Sequence, residues 1–323
     1  VRALITDTEM ADPDIERKLL EAAGFEVTVG HCKTEADVIA CAQGMDALLV
    51  TYAPVTAAVF AACPSVRMIS RHGIGVDSID TDAALEHGVW VSNVPDYGYD
   101  EVPTHAISLL FSLLRHITFH DRQVRSGVWN FAQTGRIDRI ADMTLGIVGL
   151  GRLGRFTMEL CRPFFKHVAA FDPFLPDDKW PAGVEKCSLE EVFQKANAIS
   201  LHLPLNADTR HIVNQQLLSC IPERGAYLVN TSRGGLTDLD AVLAALDSGR
   251  LRGVGLDVLP VEPPAPDHPI LHHPRAIVTP HAAFYSTESV LDLRHKFAVN
   301  VVAWKREGVA PNAVVRGHVA ATA

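Results

Sequence analysis

The sequence has 323 residues, 48% apolar and 21% charged, with 29 Lys and Arg against 38 Asp and Glu for a formal charge of −9. Its length is about twice that of a typical domain, and the balanced composition excludes collagen-like, low-complexity and disordered chains. No basic run is long enough to track a phosphate backbone, which argues against nucleic acid as a direct ligand.

The chain opens on a strand pattern at 2–6 without a cleavable apolar leader, and no stretch approaches about 18 unbroken apolar residues. The expectation is a soluble cytoplasmic protein with no membrane partner. Cys32, Cys41, Cys63, Cys161, Cys187 and Cys220 are scattered without a C-x-x-C, so free thiols are expected. Apolar runs at 2–6, 47–50 and 66–70 alternate with helical patterns at 15–23 and 55–62, which implies a parallel sheet covered on both faces. Residues 100–127 carry Ile107, Leu110, Leu113 and Leu114 on one stripe with Pro103 in the first turn, predicting one long helix between the halves. A second series at 144–148, 168–171, 198–202, 226–230, 254–257 and 276–279 supplies six strands for a doubly wound sheet. The Pro-rich stretch 260–274 is expected to hold no regular element, because each Pro removes a donor and restricts its predecessor. Val290, Leu293, Phe297 and Val301 set a final helix over 287–307.

The strand at 144–148 runs into G-x-G-x-x-G at Gly149, Gly151 and Gly154. In this context Gly149 permits the tight turn, Gly151 admits a pyrophosphate, and Gly154 lets the next helix lie close on the strand. The next strand ends at Asp172, whose carboxylate suits both ribose hydroxyls and repels a 2′-phosphate, so the cofactor is read as NAD. His268, His272 and His273 lack the spacing of a metal site, and no metal is expected.

Further along stand Asn230-Thr231-Ser232-Arg233-Gly234-Gly235, Asp257-Val258-Leu259-Pro260-Val261-Glu262-Pro263 and Thr279-Pro280-His281-Ala282-Ala283. With the glycine motif and Asp172, these resemble the D-isomer-specific 2-hydroxyacid dehydrogenase family over nearly the whole chain. Residues 93–99 and 281–286 most resemble the branch containing the C-terminal-binding-protein corepressors. The resemblance implies an α/β protein of two doubly wound parallel-sheet domains. A flavodoxin-like substrate domain would span 1–97, completed by 290–323, and a Rossmann NAD-binding domain would span 98–289. The cleft between them is expected to close over NAD and a small 2-oxo acid.

By the same resemblance Arg233 grips the substrate carboxylate and polarises its carbonyl, and His281 is the acid/base. Glu262 holds the other imidazole nitrogen and favours the charged form. Implied cofactor contacts are Val102, Gly149, Gly151, Arg152, Leu153, Gly154, Asp172, Pro173, His202, Leu203, Pro204, Thr209, Thr231, Ser232, Arg233, Asp257, His281 and Ala283. Implied substrate contacts are Arg71, Ile74, Gly75, Arg233, His281 and Phe284, the last standing where the corepressor branch carries Trp. The expected activity is NAD-dependent interconversion of a small 2-oxo acid and its D-2-hydroxy acid, favouring small or medium uncharged side chains from glyoxylate to 2-oxo-4-methylthiobutanoate. The rivals are an NAD-responsive corepressor-like interaction protein, which the short tail beyond the last helix opposes, a formate dehydrogenase, which Glu262 opposes, and a phosphoglycerate dehydrogenase. A homodimer is expected through the 100–127 stripe, which offers more apolar surface than one domain face needs.

Overall fold

The computed structural model describes residues 1–8 and 12–318. Residues 319–323, the end of the expected 290–323 segment, lie outside the described residues, as do 9–11. Among the described residues thirteen strands run in chain order: β1 Arg2–Ile5, β2 Glu26–Val29, β3 Ala47–Val50, β4 Met68–Arg71, β5 Trp90–Ser92, β6 Thr144–Val148, β7 His167–Phe171, β8 Glu185–Lys186, β9 Ala198–Leu201, β10 Ala226–Asn230, β11 Leu251–Leu256, β12 Ala276–Val278 and β13 Ala313–Val315. The chain divides into two compact units, Val1–Gly98 with Tyr285–Ala323, and Tyr99–Phe284.

The first unit holds a six-stranded sheet ordered β13-β5-β4-β3-β1-β2. Its parallel part has the flavodoxin-like order, and β13 adds antiparallel to β5. β3 is buried along its whole length, as a central strand covered on both faces requires. On one face lies the Thr287–Glu307 helix, entered through a Ser286/Ser289 capping box and packed through Leu293, Phe297, Ala298 and Val301. Its Arg294 makes a bidentate pair with Glu16 at 2.8 and 2.7 Å, both residues being buried. That geometry satisfies charges that burial would otherwise penalise.

The second unit holds a seven-stranded sheet ordered β12-β11-β10-β9-β6-β7-β8. All its pairings are parallel. The order reverses at β6, with β7 on one side and β9 on the other, which is the position where doubly wound sheets bind ligands. One face carries the Glu101–Leu114 helix, whose Ala106, Leu109, Leu110, Leu113 and Leu114 are buried in a common core with Leu145, Ile147, Tyr227 and Val229.

Several sequence expectations need correction. The single helix over 100–127 is two helices, Glu101–Leu114 and Ile117–Arg125, broken at His116, whose φ is +53°. Of the apolar stripe, Leu110, Leu113 and Leu114 are buried against the unit's own sheet, while Ile107 is partly buried. Residues 260–274 contain the short helix Pro269–His272. The strands β2, β5, β8 and β13 come in addition to those the apolar runs predict. All six cysteines are free, and among the described residues no helix is long and apolar enough to cross a membrane.

Candidate active site

The candidate residues of the second unit gather where its strands end. β6 passes into Gly149, which has φ +94° and would drive a Cβ into the His202 carbonyl. A Cβ on Gly154 would strike the Gly149 carbonyl, so the Arg152–Cys161 helix can approach the strand only with glycine there. Gly151 is the helix N-cap, and a Cβ on it would meet nothing within 4 Å. The open space before a helix N-terminus fits an anionic diphosphate.

Asp172 comes directly after β7, and its Oδ2 accepts the Leu150 amide at 2.8 Å while Oδ1 accepts those of Phe174 and Leu175. The carboxylate therefore stands against the glycine loop. It braces that loop as well as offering lone pairs to a ribose. Pro173 after it is exposed. Arg152 and Leu153 form the first helical turn, where the Arg152 guanidinium lies 5.3 Å from the Tyr99 ring, itself stacked on Phe156 at 5.0 Å.

His202 comes directly after β9, with its Nε2 2.9 Å from Ser200 Oγ. Desolvation lowers its pKa to about 4, so the ring is neutral. Leu203 is half-buried and Pro204 exposed, and the turn beyond them is closed by Thr209, whose hydroxyl donates to the Pro204 carbonyl at 2.7 Å. Beyond β10, the Asn230 side chain binds the Ser232 amide and the Arg233 carbonyl at 3.0 and 2.9 Å. Ser232 Oγ donates to the Leu201 carbonyl at 2.8 Å, tying this loop to the β9 end. The Thr231 hydroxyl is buried and finds no hydrogen-bond partner among the described residues. An unsatisfied buried hydroxyl at this edge is a place for a ligand's polar group, and with the glycine cradle it makes the residues present fit a dinucleotide. Val102 is half-buried in the first turn of the Glu101–Leu114 helix.

Glu262 and His281 come together. Glu262 Oε2 lies 2.7 Å from His281 Nδ1, and its Oε1 accepts the Leu259 amide at 2.7 Å. Burial pushes the carboxyl up, but the His281 hydrogen bond, the Leu259 amide and the charges of His281 and Arg233 outweigh it, leaving Glu262 below its ordinary value. A carboxylate held ionised at Nδ1 fixes the tautomer that carries its proton there and turns Nε2 outward for chemistry. His281 has φ +51°, a costly conformation for a non-glycine residue and one found at functional sites.

Asp257 holds that turn. Its fully buried carboxylate accepts Ala282 and Ala283 amides at 2.9 and 2.8 Å and the Thr279 hydroxyl at 2.6 Å, while its carbonyl accepts the His281 amide at 2.8 Å. His105, which no sequence motif marks, joins this group with Nε2 3.0 Å from Thr279 Oγ1. The signal that could have found it is its position three residues after Val102 on one helix, which puts both on the same face. The Phe284 ring meets His281 edge-on at 6.5 Å.

Arg71, Ile74 and Gly75 lie in the first unit. Arg71 ends β4, and the loop behind it is pinned by Asn93 Nδ2 donating to the Ile74 carbonyl at 2.6 Å.

The profile of the D-isomer specific 2-hydroxyacid dehydrogenase NAD binding domain matches residues 107–283. The chain is similar to a glyoxylate reductase of Korarchaeum cryptofilum, with 35% identity covering 81% of this chain and 80% of the relative. It is equally similar to a D-3-phosphoglycerate dehydrogenase of Bacillus subtilis, with 35% identity over 93% of this chain but only 56% of that relative's length. Among solved structures, a glyoxylate reductase from Paecilomyes thermophila superposes with a TM-score of 0.87 at 27% identity, covering 97% of each chain.

Proposed function

The chain belongs to the D-isomer-specific 2-hydroxyacid dehydrogenase family, and from that premise we propose that it is an NAD-dependent reductase of small 2-oxo acids. The observation that carries this reading is the 2.7 Å contact of His281 with Glu262, with the Arg233 charge acting on the same carboxylate.

Gly149, Gly151, Gly154 and Asp172 would hold the cofactor, which when bound supplies the hydride. Arg233 binds the substrate carboxylate and draws electron density toward the carbonyl oxygen. His281 gives its Nε2 proton to the oxygen as the carbonyl becomes an alcohol, and Glu262, bound to Nδ1, stabilises the charged imidazole beforehand. In the oxidative direction the same nitrogen takes the proton back. In the first unit, Arg71 and the Ile74 and Gly75 amides are read as a further carboxylate-binding set.

The similarity to both a glyoxylate reductase and a phosphoglycerate dehydrogenase leaves substrate choice to the chain's own residues. The aromatic face of Phe284 beside His281 favours an uncharged side chain. A panel of 2-oxo acids with NADH tests this: glyoxylate and its small apolar homologues should outrank dicarboxylates and 3-phosphohydroxypyruvate. A strong preference for the phosphorylated acid would overturn the substrate assignment.

The reading also includes a homodimer. Its support is that Trp129 and Phe131 are 89% and 86% exposed in the second unit, close in sequence to the half-exposed Ile117 and Val124, and such apolar groups together mark an interface. Light scattering should give twice 35.1 kDa, and Trp129→Ser with Phe131→Ser should return the monomer.

A further inference from the structure

Asp257, Thr279 and His105 meet behind the His281 imidazole. The Asp257 carboxylate has no exposed surface, and its oxygens take two backbone amides and one hydroxyl. A buried carboxylate can only accept, so the Thr279 hydroxyl must give its one proton to Asp257 Oδ1. That leaves the Thr279 oxygen as an acceptor, and the atom 3.0 Å away is His105 Nε2. The direction of both bonds is thereby set: His105 Nε2–H donates to Thr279 Oγ1, whose O–H donates to Asp257. His105 Nε2 is also 3.5 Å from Asp257 Oδ1, so its dipole faces the buried charge directly.

The consequence is mechanical. His281 sits at φ +51°, and such a residue keeps its conformation only while its surroundings over-determine it. The holding bonds are the Asp257 and Thr279 carbonyls on the His281 amide and the Asp257 carboxylate on the next two amides. Whatever fixes the rotamer of Asp257 therefore fixes the imidazole. Val102 and His105 stand on one face of the Glu101–Leu114 helix, a rigid element anchored in the sheet core through Leu109, Leu110 and Leu113.

We propose that His105 is a positioning residue for the acid/base: through Thr279 and Asp257 it locks the backbone turn that presents His281. The proposal rests on the reading of His281 as the proton donor. It places His105 in contact with neither substrate nor reacting atoms.

The test compares His105→Ala, His105→Gln, Thr279→Val and the double variant His105→Ala/Thr279→Val, using glyoxylate reduction, NADH binding by fluorescence titration, and the NMR signal of the His281 ring assigned by its loss in His281→Ala. His105→Ala should lower kcat about 10- to 100-fold, the cost of a small misplacement of the reacting group, with NADH affinity unchanged. Gln, whose Nε2 can donate from the same place, should recover most of the loss. Because both positions serve one hydrogen-bond relay, the double variant should be no slower than Thr279→Val alone within about twofold. The His281 signal should move in His105→Ala and return in His105→Gln. Thr279→Val cuts the relay from its other side, so the test stands even where His105→Ala folds poorly.

An unchanged kcat, a matching loss of NADH affinity, a Gln variant no better than Ala, additive losses, or an unmoved His281 signal would each overturn the proposal. Wild-type protein inactive toward every 2-oxo acid would instead overturn the dehydrogenase reading. The His281 signal would still decide whether His105 holds the turn.

Discussion

Both units place a glycine-bearing loop at the carboxyl end of a central strand, with Gly73 and Gly75 after β4 in the first and Gly149, Gly151 and Gly154 after β6 in the second. They differ in the path the chain takes beyond that loop. The second loop opens directly into the ten-residue helix Arg152–Cys161, so its amides sit at a helix N-terminus and suit a diphosphate. The first loop wanders through a turn and reaches a helix only at Thr81–Glu86, which suits a single carboxylate. Each unit also holds a desolvated, neutral histidine just beyond a strand, His72 after β4 and His202 after β9. In the proposed reading, similar strand ends would serve different ligands according to what the chain does in the next few residues, and the proposed acid/base pair of His281 and Glu262 lies with Arg233 in the second unit.

That division of labour can be broken by substitution, and among the residues read as binding ligands the largest effect is expected at Arg233. Arg233→Ala should lower kcat by about 10²–10³, the cost of removing a donor that stabilises developing charge, and Arg233→Lys should not restore it because the planar fork is lost. Arg71→Ala in the first unit should act mainly on KM. Equal losses of kcat at both positions would erase the distinction.

The desolvated histidines offer the next test. Desolvation, with the charges of Arg71 and Arg294, lowers the His72 pKa to about 3, and desolvation lowers that of His202 to about 4. The unfolded chain therefore takes up these protons first, near pH 6.5. Stability is fully present above that pH and is lost as pH falls, down to about 4 for the second unit and about 3 for the first. The loss is on the order of a few kcal/mol for each histidine. Urea unfolding at pH 7 and pH 5 should show it, and His72→Gln should flatten the dependence in the first unit. A stability independent of pH over this window would contradict the burial argument.

At Asp172 the effect is smaller. Asp172→Ala should weaken NADH binding by about 1.5–3 kcal/mol, the scale of charged hydrogen bonds, and narrow a NADH preference over NADPH expected to be at least about tenfold. Because the carboxylate also braces Leu150, Asp172→Asn should keep part of the binding while losing discrimination. Titration with both cofactors separates the two roles. The smallest effect is expected at Phe284→Ala, which should raise KM for larger side chains and leave glyoxylate nearly unaffected, since a methylene contact is worth only about 1–3 kcal/mol.

How much could be read from the sequence depended on the strength of local signals. The six strands of the second series and the loops after them were legible because apolar runs and glycine spacing are local. β2, with its half-exposed Glu-Val-Thr-Val pattern, and the three-residue β5 and β13 were not, since so short or so polar a run gives little local signal. The break at His116 has neither Gly nor Pro to mark it. Glu262 and His281 were placed by motif, whereas the support from Asp257, Thr279 and His105 depends on a helix far away in sequence meeting the sheet edge.

The central claim is that His281, set by Glu262, supplies the proton for 2-oxo acid reduction. The most direct measurement is single-turnover oxidation of bound NADH by glyoxylate in wild-type protein and in His281→Ala, with cofactor affinity determined for both. The account predicts equal NADH binding and a reaction slower by about 10²–10⁴ in the variant. Near-native rates in His281→Ala would contradict it and place the proton donor elsewhere.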